Sequence, residues 1–460
     1  MPSPAATSMQ NPLLDPPSDD DEGRPRFPSP STRVERDAQS PSWRMVLLSP
    51  DKDLPRISCK ASALSLIATM VGGGALSIPY AVQESGLISS AVILLAIAVS
   101  SGFSLELLLQ CSRLCDKANP SYTEVALEAL GRPGRAVSSL LILAMTFLAV
   151  VAYLMLLGDI VPTMAAYAYA SEPGGTEWFT RKGPVLSLVC AFAYPVCCVR
   201  HLRSLRYANL VGFVSMLFLS VCMLVRLLDH TAVADAASLT PIVWFRTDMR
   251  LLLGVSVMSV SFVCHFNLLP VHFSLKRPTR RRATRLVNMS ITVATLVYLL
   301  IGTTGYLTFR GRVLDNILMN YGRDDALLNC GRATLAVTIF CGIPVVLLPN
   351  RDLIEETLFG TLPYSRLRSA AQTFALLGAA LLVAVHVPRI VYVWDFVGST
   401  ASSIAMFILP PVFYLRLRRR PLTHDAETRA AFALLVGGAV VAVACTVDSV
   451  LNVVNGPPTQ

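Results

Sequence analysis

Residues Met70–Tyr80 read MVGGGALSIPY and lie inside the first long apolar segment, Ala61–Val82. This stretch limits what the chain can fold into. Three consecutive glycines and a proline are poor material for a regular helix, because glycine is entropically costly there and proline has no N–H to donate. Yet a segment this long and this apolar belongs in a bilayer, where a broken helix is tolerated only if the freed backbone groups are buried in protein or line a cavity. Near the bilayer midplane such a break is also how a solute site is built. Bare N–H groups at a half-helix N-terminus attract a carboxylate, and unwound carbonyls attract cations. We read Gly72–Gly73–Gly74 as an unwound hinge of that kind. The alternative is packing alone, in which small residues let a neighbouring helix approach, although that pattern is normally small-xxx-small.

The rest of the chain repeats the apolar character. It has 460 residues, of which 53% are hydrophobic and 15% charged, far from a soluble average. Eleven apolar segments follow one another, each near the ~20 residues that span hydrocarbon. They are Ala61–Val82, Leu87–Cys111, Val137–Gly158, Pro184–Val199, Tyr207–Leu228, Leu251–Phe273, Leu286–Phe309, Ala333–Pro349, Ala370–Val387, Val391–Leu415 and Ala430–Leu451. The fourth and eighth are short. The fold class is therefore all-α and polytopic, with about eleven transmembrane helices.

Lys and Arg set the orientation. With the N-terminus in the cytoplasm, 29 of the 39 basic residues fall on the cytoplasmic side and ten on the other. An odd number of spans then puts the C-terminus outside. The same count explains the net charge of +9 as topology, and no nucleic-acid partner is implied. The basic loop Lys276–Arg285 holds its position in the cytoplasm by the same rule, with anionic lipid as its other reading.

Residues 1–57 are rich in Pro, Ser, Asp and Arg and carry the acidic run Asp19–Glu22. Such composition cannot bury enough apolar surface to fold. It reads as a disordered cytoplasmic tail before a membrane domain over 58–455. No signal-peptide core precedes the first span. The 11 cysteines fall mostly in or beside apolar runs, without zinc-ligand spacing. No metal site, cofactor or catalytic constellation is expected. The six histidines are scattered, so an integral membrane enzyme is not indicated, and no filter repeat or ring of charge suggests a channel.

The sixth segment reads LLLGVSVMSVSFVCHFNLLPVHF and is unusually polar. It holds Ser256, Ser259, Ser261, His265 and Asn267. Interrupted segments in corresponding places of two halves point to a transporter site. Spans one and six form such a pair if the first ten spans are a five-plus-five inverted repeat with an eleventh appended. His265 is either a hydrogen-bonded packing residue or a substrate, proton or gating group. Glu106, Asp159, His386 and Asp448 lie toward span ends, where snorkelling explains them. Tyr153 in the third span either faces the site or packs.

VGGGALSIPYAVQESG resembles the first-helix signature of the amino acid/auxin permease family, with its Gly-x-Gly hinge and Leu/Ile-Pro-Tyr/Phe-Ala run. FVCH in span six, GYLTF at Gly305–Phe309 and IPVVLLPNRDLIE at Ile343–Glu355 are similar to the branch of sodium-coupled neutral amino acid transporters. The resemblance runs from about Ser58 to Leu451. It implies a fold of the leucine-transporter type, five plus five helices and one more, and secondary active transport of amino acids. By position, Gly72, Gly73 and Gly74 would give N–H groups to the substrate carboxylate. Carbonyls near Thr69 and Met70, and around Ser259, Ser261 and Phe262, would receive the ammonium. Tyr153 and His265 stay candidate site residues on their own places in spans three and six.

Two departures bear on coupling. The branch has an asparagine where this chain has Ala68, and a threonine near Phe340, Cys341 and Gly342, where the nearest is Thr338. Hard cations want oxygen ligands, so the residues lean to proton coupling or facilitated exchange, with backbone carbonyls as the remaining route to sodium. Phe266 stands where the family often has proline, which argues against a sharp break in span six. The expected function is an amino acid permease working by alternating access, coupled to H⁺ or Na⁺. The alternative is an amino acid sensor of the same fold that signals through its tail. Expected partners are the amino acid and membrane lipid, with a monomeric transport unit. The membrane is that of the cell surface or of a vacuole or lysosome.

Overall fold

The computed structural model describes residues 58–169, 177–198, 206–229, 240–276, 278–359, 362–363, 365–418 and 425–455. The tail expected over 1–57 lies outside the described residues. Helix α1 spans Cys59–Met70. Ser58 caps it by accepting from the Ala61 N–H at 3.3 Å. It closes where the Val71 N–H reaches Ile67 O at 2.7 Å. A 3-10 turn over Gly73–Ser77 follows, then α2 at Ile78–Ser85, bent by 49° from α1. Pro79 sits in the first turn of α2, where its missing N–H has no intrahelical partner to lose. Gly86 ends α2 at φ +84°, a left-handed region that suits glycine.

The remaining helices are α3 Leu87–Leu114, α4 Tyr122–Ala168, α5 Lys182–Cys198, α6 Arg206–Leu228, α7 Arg250–Ser261, α8 His265–Phe273, α9 Arg280–Phe309, α10 Ala326–Phe359, α11 Arg366–His386, α12 Ile390–Val397, α13 Leu409–Arg418 and α14 Ala426–Asn455. Two π-helical turns, Gly398–Ser402 and Ile404–Ile408, join α12 to α13 into one span. Among the described residues, nine spans are long and apolar enough to cross a membrane, two of them composite, α7 with α8 and α12 with α13. The bent pair α1–α2 and the 17-residue α5 complete the eleven that the apolar runs predicted.

Two spans run far past their apolar segments. α4 begins at Tyr122, capped reciprocally by Ser121 and Glu124, and kinks at Gly131, where φ is +71°. α10 extends well past Pro349 to Phe359. Both extensions are amphiphilic ends that an apolar window leaves out. The outward faces are apolar, as a lipid-facing surface requires. Val92, Leu95 and Val99 lie on one face of α3 and are 50–73% exposed. Helix α4, buried along Val150–Leu157 except for the half-buried Tyr153, packs against α10, α11 and α12.

Candidate functional site

The hinge is a real interruption of backbone hydrogen bonding. The Gly72 N–H turns back onto Met70 O at 2.9 Å, so it does not close a helical turn on Ala68. Gly73 and Gly74 open the 3-10 turn, and the first N–H groups of such a turn have no acceptor within it. The first turn-closing bond runs from the Ala75 N–H to Gly72 O at 3.0 Å. Two bare donors and the freed carbonyls of Ala68 and Thr69 therefore meet in the middle of one span. The Thr69 hydroxyl is engaged with Ser65 O at 3.0 Å, which leaves its carbonyl as the group facing the break.

Three other spans converge on these glycines. A Cβ on Gly72 would stand 3.8 Å from Tyr153 Oη. A Cβ on Gly73 would stand 2.6 Å from Leu156 Cδ1, 3.7 Å from Tyr153 Cε1 and 3.9 Å from Trp394 Cζ2. A Cβ on Gly74 would stand 3.6 Å from Ser261 Oγ. At Gly73 glycine is thus required for close approach as well as for unwinding, whereas the contacts at Gly72 and Gly74 are ordinary ones. α4, α7 and α12 each bring one polar or aromatic side chain to the hinge.

The expected interruption in the sixth span is present despite Phe266. α7 ends where the Phe262 and Val263 N–H groups tighten onto Ser259 O and Val260 O at 3.1 and 3.2 Å. Phe262–Cys264 are non-helical, and α8 starts at His265. The bend stays under 40°, so the span is interrupted rather than sharply broken. The interruption does not need proline. Tyr298 of α9 donates to Ser261 O at 2.6 Å and so takes up a carbonyl that the ended helix leaves over. Phe262 packs edge-on against the same ring, with centroids 5.2 Å apart.

The structure brings together Thr69, Met70, Gly72, Gly73, Gly74, Tyr153 and Ser261. Ser259 lies two residues before Ser261 on α7, buried, with a hydroxyl that has no partner among the described residues. Phe262 belongs to the wall behind Ser261. His265 lies elsewhere: its Nε2 is 3.2 Å from Ser104 Oγ of α3, and Ser104 in turn donates to Met406 O. Of the two readings of this histidine, the hydrogen bonding favours packing. Trp394 was missed from sequence, although a tryptophan inside an apolar run was a visible signal. Its indole N–H is buried and unpartnered among the described residues.

The position near the branch's threonine is also explained. A Cβ on Gly342 would stand 3.1 Å from Tyr153 Cε2, so the Tyr153 ring occupies the space a side chain there would need. Ala68 packs against the apolar core. Neither position supplies a side-chain oxygen for a hard cation.

At the α2 end of the hinge, the segment Val313–Asn316 forms a cover. The Val313 N–H donates to Gln83 Oε1 at 2.8 Å, and the Ser77 hydroxyl donates to Asp315 O at 2.6 Å. Arg389 Nε lies 3.8 Å from Asp315 Oδ2, and its guanidinium stacks over Tyr80 at 5.0 Å. Asn316 donates to Asp159 at 3.2 Å, and Asp159 pairs with Lys182 at 3.7 Å. Arg389, between α11 and α12, is held above the usual guanidinium value. Burial acts against this, but the neighbouring Tyr80 and Asp315 outweigh it.

Residues 55–451 match the family model described as "Transmembrane amino acid transporter protein". A relative from Rattus norvegicus, provisionally named sodium-coupled neutral amino acid transporter 11, is 26% identical over 415 residues, or 90% of this chain and 89% of its own. A Bos taurus relative of the same name is 26% identical over 394 residues, or 84% and 82%. Among solved structures, inward-facing Mhp1 superposes with a TM-score of 0.56 at 13% identity, covering 86% of this chain and 89% of that one. MhsT in complex with L-phenylalanine gives 0.57 at 13% identity, covering 84% and 98%. These likenesses establish a fold of the leucine-transporter type.

Proposed function

Because the chain belongs to the transmembrane amino acid transporter family, it is a multi-pass membrane protein that moves amino acids by secondary transport, and we propose that its substrate binds at the Gly72–Gly74 hinge and moves with protons. The observation that carries this reading is the pair of bare N–H groups at Gly73 and Gly74, with Tyr153 beside Gly73 and Ser261 beside Gly74. A zwitterion taken out of water needs donors at one end and acceptors at the other. The carboxylate meets the Gly73 and Gly74 N–H groups at the positive end of the turn that leads into α2. The Tyr153 hydroxyl reaches the same place past Gly72. The ammonium meets the carbonyls of Thr69 and Met70 and those of Ser259–Phe262, since each carbonyl keeps a second lone pair. Leu156, Ser261 and Trp394 surround the side chain, an uncharged lining that suits neutral amino acids. His265 braces the sixth span against α3.

Alternating access needs a closure that opens. The cover over the α2 end, Val313–Asn316 with Arg389, is held by hydrogen bonds and partly exposed ion pairs in addition to the buried Val313 side chain, and exposed ion pairs separate at little cost, so we take it as the side that opens. Proton coupling is favoured over the sodium coupling in the relatives' name because Ala68 and Gly342 offer no side-chain oxygen. We assign residues 58–455 to the transport domain and 1–57 to a tail without part in transport. The Lys and Arg distribution supports a cytoplasmic N-terminus. The unit works as a monomer in direct contact with lipid. A proton gradient at the cell surface or at a vacuolar or lysosomal membrane would drive it.

The test is uptake of a labelled neutral amino acid mixture into proteoliposomes. An imposed proton gradient should drive accumulation without sodium. Accumulation driven only by sodium overturns the coupling, and tight binding without any transport puts an amino acid sensor in place of the permease.

A further inference from the structure

The side of α12 turned away from the hinge carries a second polar centre. Asp395 follows Trp394 directly, but it faces α7 and α14 instead of the glycines. It is 2% exposed, and its Oδ1 has no hydrogen-bond partner among the described residues. It stands five residues into its span, or ~7.5 Å from the helix start. The groups that face it are the hydroxyls of Ser256 from α7 and Ser449 from α14, with Asp448 and Cys445 of α14 nearby. Among the described residues, no lysine, arginine or histidine lies within ion-pair reach of it. The backbone around it is unusual as well. Gly398, one turn on, begins the first π-helical turn, and it packs against Ser256 O so closely that no side chain fits. The Ser402 hydroxyl, in the same turn, is buried and unpartnered among the described residues.

A carboxylate buried without a cation is too costly to keep charged, whereas the neutral acid gives its O–H to a neighbouring hydroxyl. Ionisable groups inside a membrane span are functional candidates for the same reason. π-helical turns are strained sections that collect at functional sites. We propose that Asp395 is the group that carries the coupling proton, taking it from water on one side of the membrane and releasing it to water on the other. This rests on the proton-coupled reading above. The geometry gives the link to substrate. Trp394 closes the Gly73 side of the site, Asp395 is its chain neighbour, and both ride on α12. A movement of α12 that releases the amino acid also parts Asp395 from Ser256 or Ser449 and admits water. The charged carboxylate is stable only in that opened state, and the protonated acid only in the closed one. One proton is therefore exchanged per cycle, with no other change in bonding.

The experiment compares wild type and Asp395→Asn in proteoliposomes, with two readouts. One is concentrative uptake under a proton gradient. The other is counterflow exchange of labelled for unlabelled amino acid, which needs no net proton movement. The variant should lose concentrative uptake and keep counterflow. Concentrative proton-driven uptake by the variant overturns the assignment. Failure of the wild type to use a proton gradient overturns the coupling itself, which is a separate result. Sodium-driven uptake that the substitution abolishes would make Asp395 a sodium ligand and would also overturn the proposal. If the amide does not fold, Ser449→Ala decides. It removes a hydroxyl that faces the acid, so the pH of half-maximal proton-driven uptake should shift by about half a unit or more. An unmoved midpoint counts against the proposal.

Discussion

A Cβ on Gly73 would stand 2.6 Å from Leu156 Cδ1, and Leu156 is fully buried. The side chain cannot swing away into solvent, so Gly73→Ala is overpacking in a closed core, at about 1–3 kcal/mol. We expect a lower thermal midpoint and little transport. The double variant Gly73→Ala, Leu156→Ala should recover part of both. Gly74→Ala meets Ser261 Oγ only at 3.6 Å, an ordinary contact, and should leave the midpoint near wild type. Thermal unfolding in detergent with paired uptake assays checks all three.

Tyr153→Phe removes one hydroxyl beside Gly72 and leaves the ring that fills the space at Gly342. A hydrogen bond to a charged group is worth about 1.5–3 kcal/mol, and each 1.4 kcal/mol is about tenfold in affinity. The half-saturating substrate concentration should rise about tenfold or more with thermal stability unchanged. An unchanged value would remove Tyr153 from the site.

Arg389 and Asp315 form the only ion pair among the described residues that joins the start of α12 to the Val313–Asn316 segment. Both are partly exposed, so breaking the pair costs about 1 kcal/mol or less in stability. Its effect on transport should be larger. Arg389→Gln and Asp315→Asn should each speed opening of the cover, read as faster counterflow. The double variant should match either single one, because two partners of one contact are not additive.

Asp325 gives the pH dependence a definite sign. It opens α10, accepting from the Leu327 and Leu328 N–H groups at 3.1 and 3.2 Å and from Arg226 of α6 at 2.7 and 2.8 Å. Burial acts to raise its carboxyl, but these donors outweigh it and leave it below the ordinary carboxylate range. The folded protein therefore holds this proton less readily than the unfolded chain. The stability from the clamp is complete above the unfolded value of about 3.9 and disappears as pH falls through the lower folded value. Asp325→Asn should lower the thermal midpoint at neutral and mildly acidic pH, and the gap should close only under strong acid.

The eleven spans were legible because an apolar run of bilayer length has one economical fate. The hinge was legible because three glycines and a proline announce a break inside such a run. The interruption at Phe262–Cys264 was expected from polarity alone, and Phe266 argued the other way. Tyr298 bonds to Ser261 O at the break, a contact between residues 37 positions apart that no local pattern contains. The role of Gly342 was hidden likewise, since only the fold places the Tyr153 ring against it. Span ten was underread. Its π-helical turns leave no mark in composition, and Trp394 and Asp395 were passed over inside a run that looked uniformly apolar. Both were visible as a large amphiphile and a charge where neither is cheap.

The most direct measurement is a structure of the protein with a neutral amino acid bound. The account predicts the carboxylate within hydrogen-bond distance of the Gly73 and Gly74 N–H groups, the Tyr153 hydroxyl beside it, and the ammonium at the carbonyls of Thr69, Met70 or Ser259–Phe262. An amino acid bound away from the hinge, with the Gly73 and Gly74 N–H groups satisfied by protein, would contradict it.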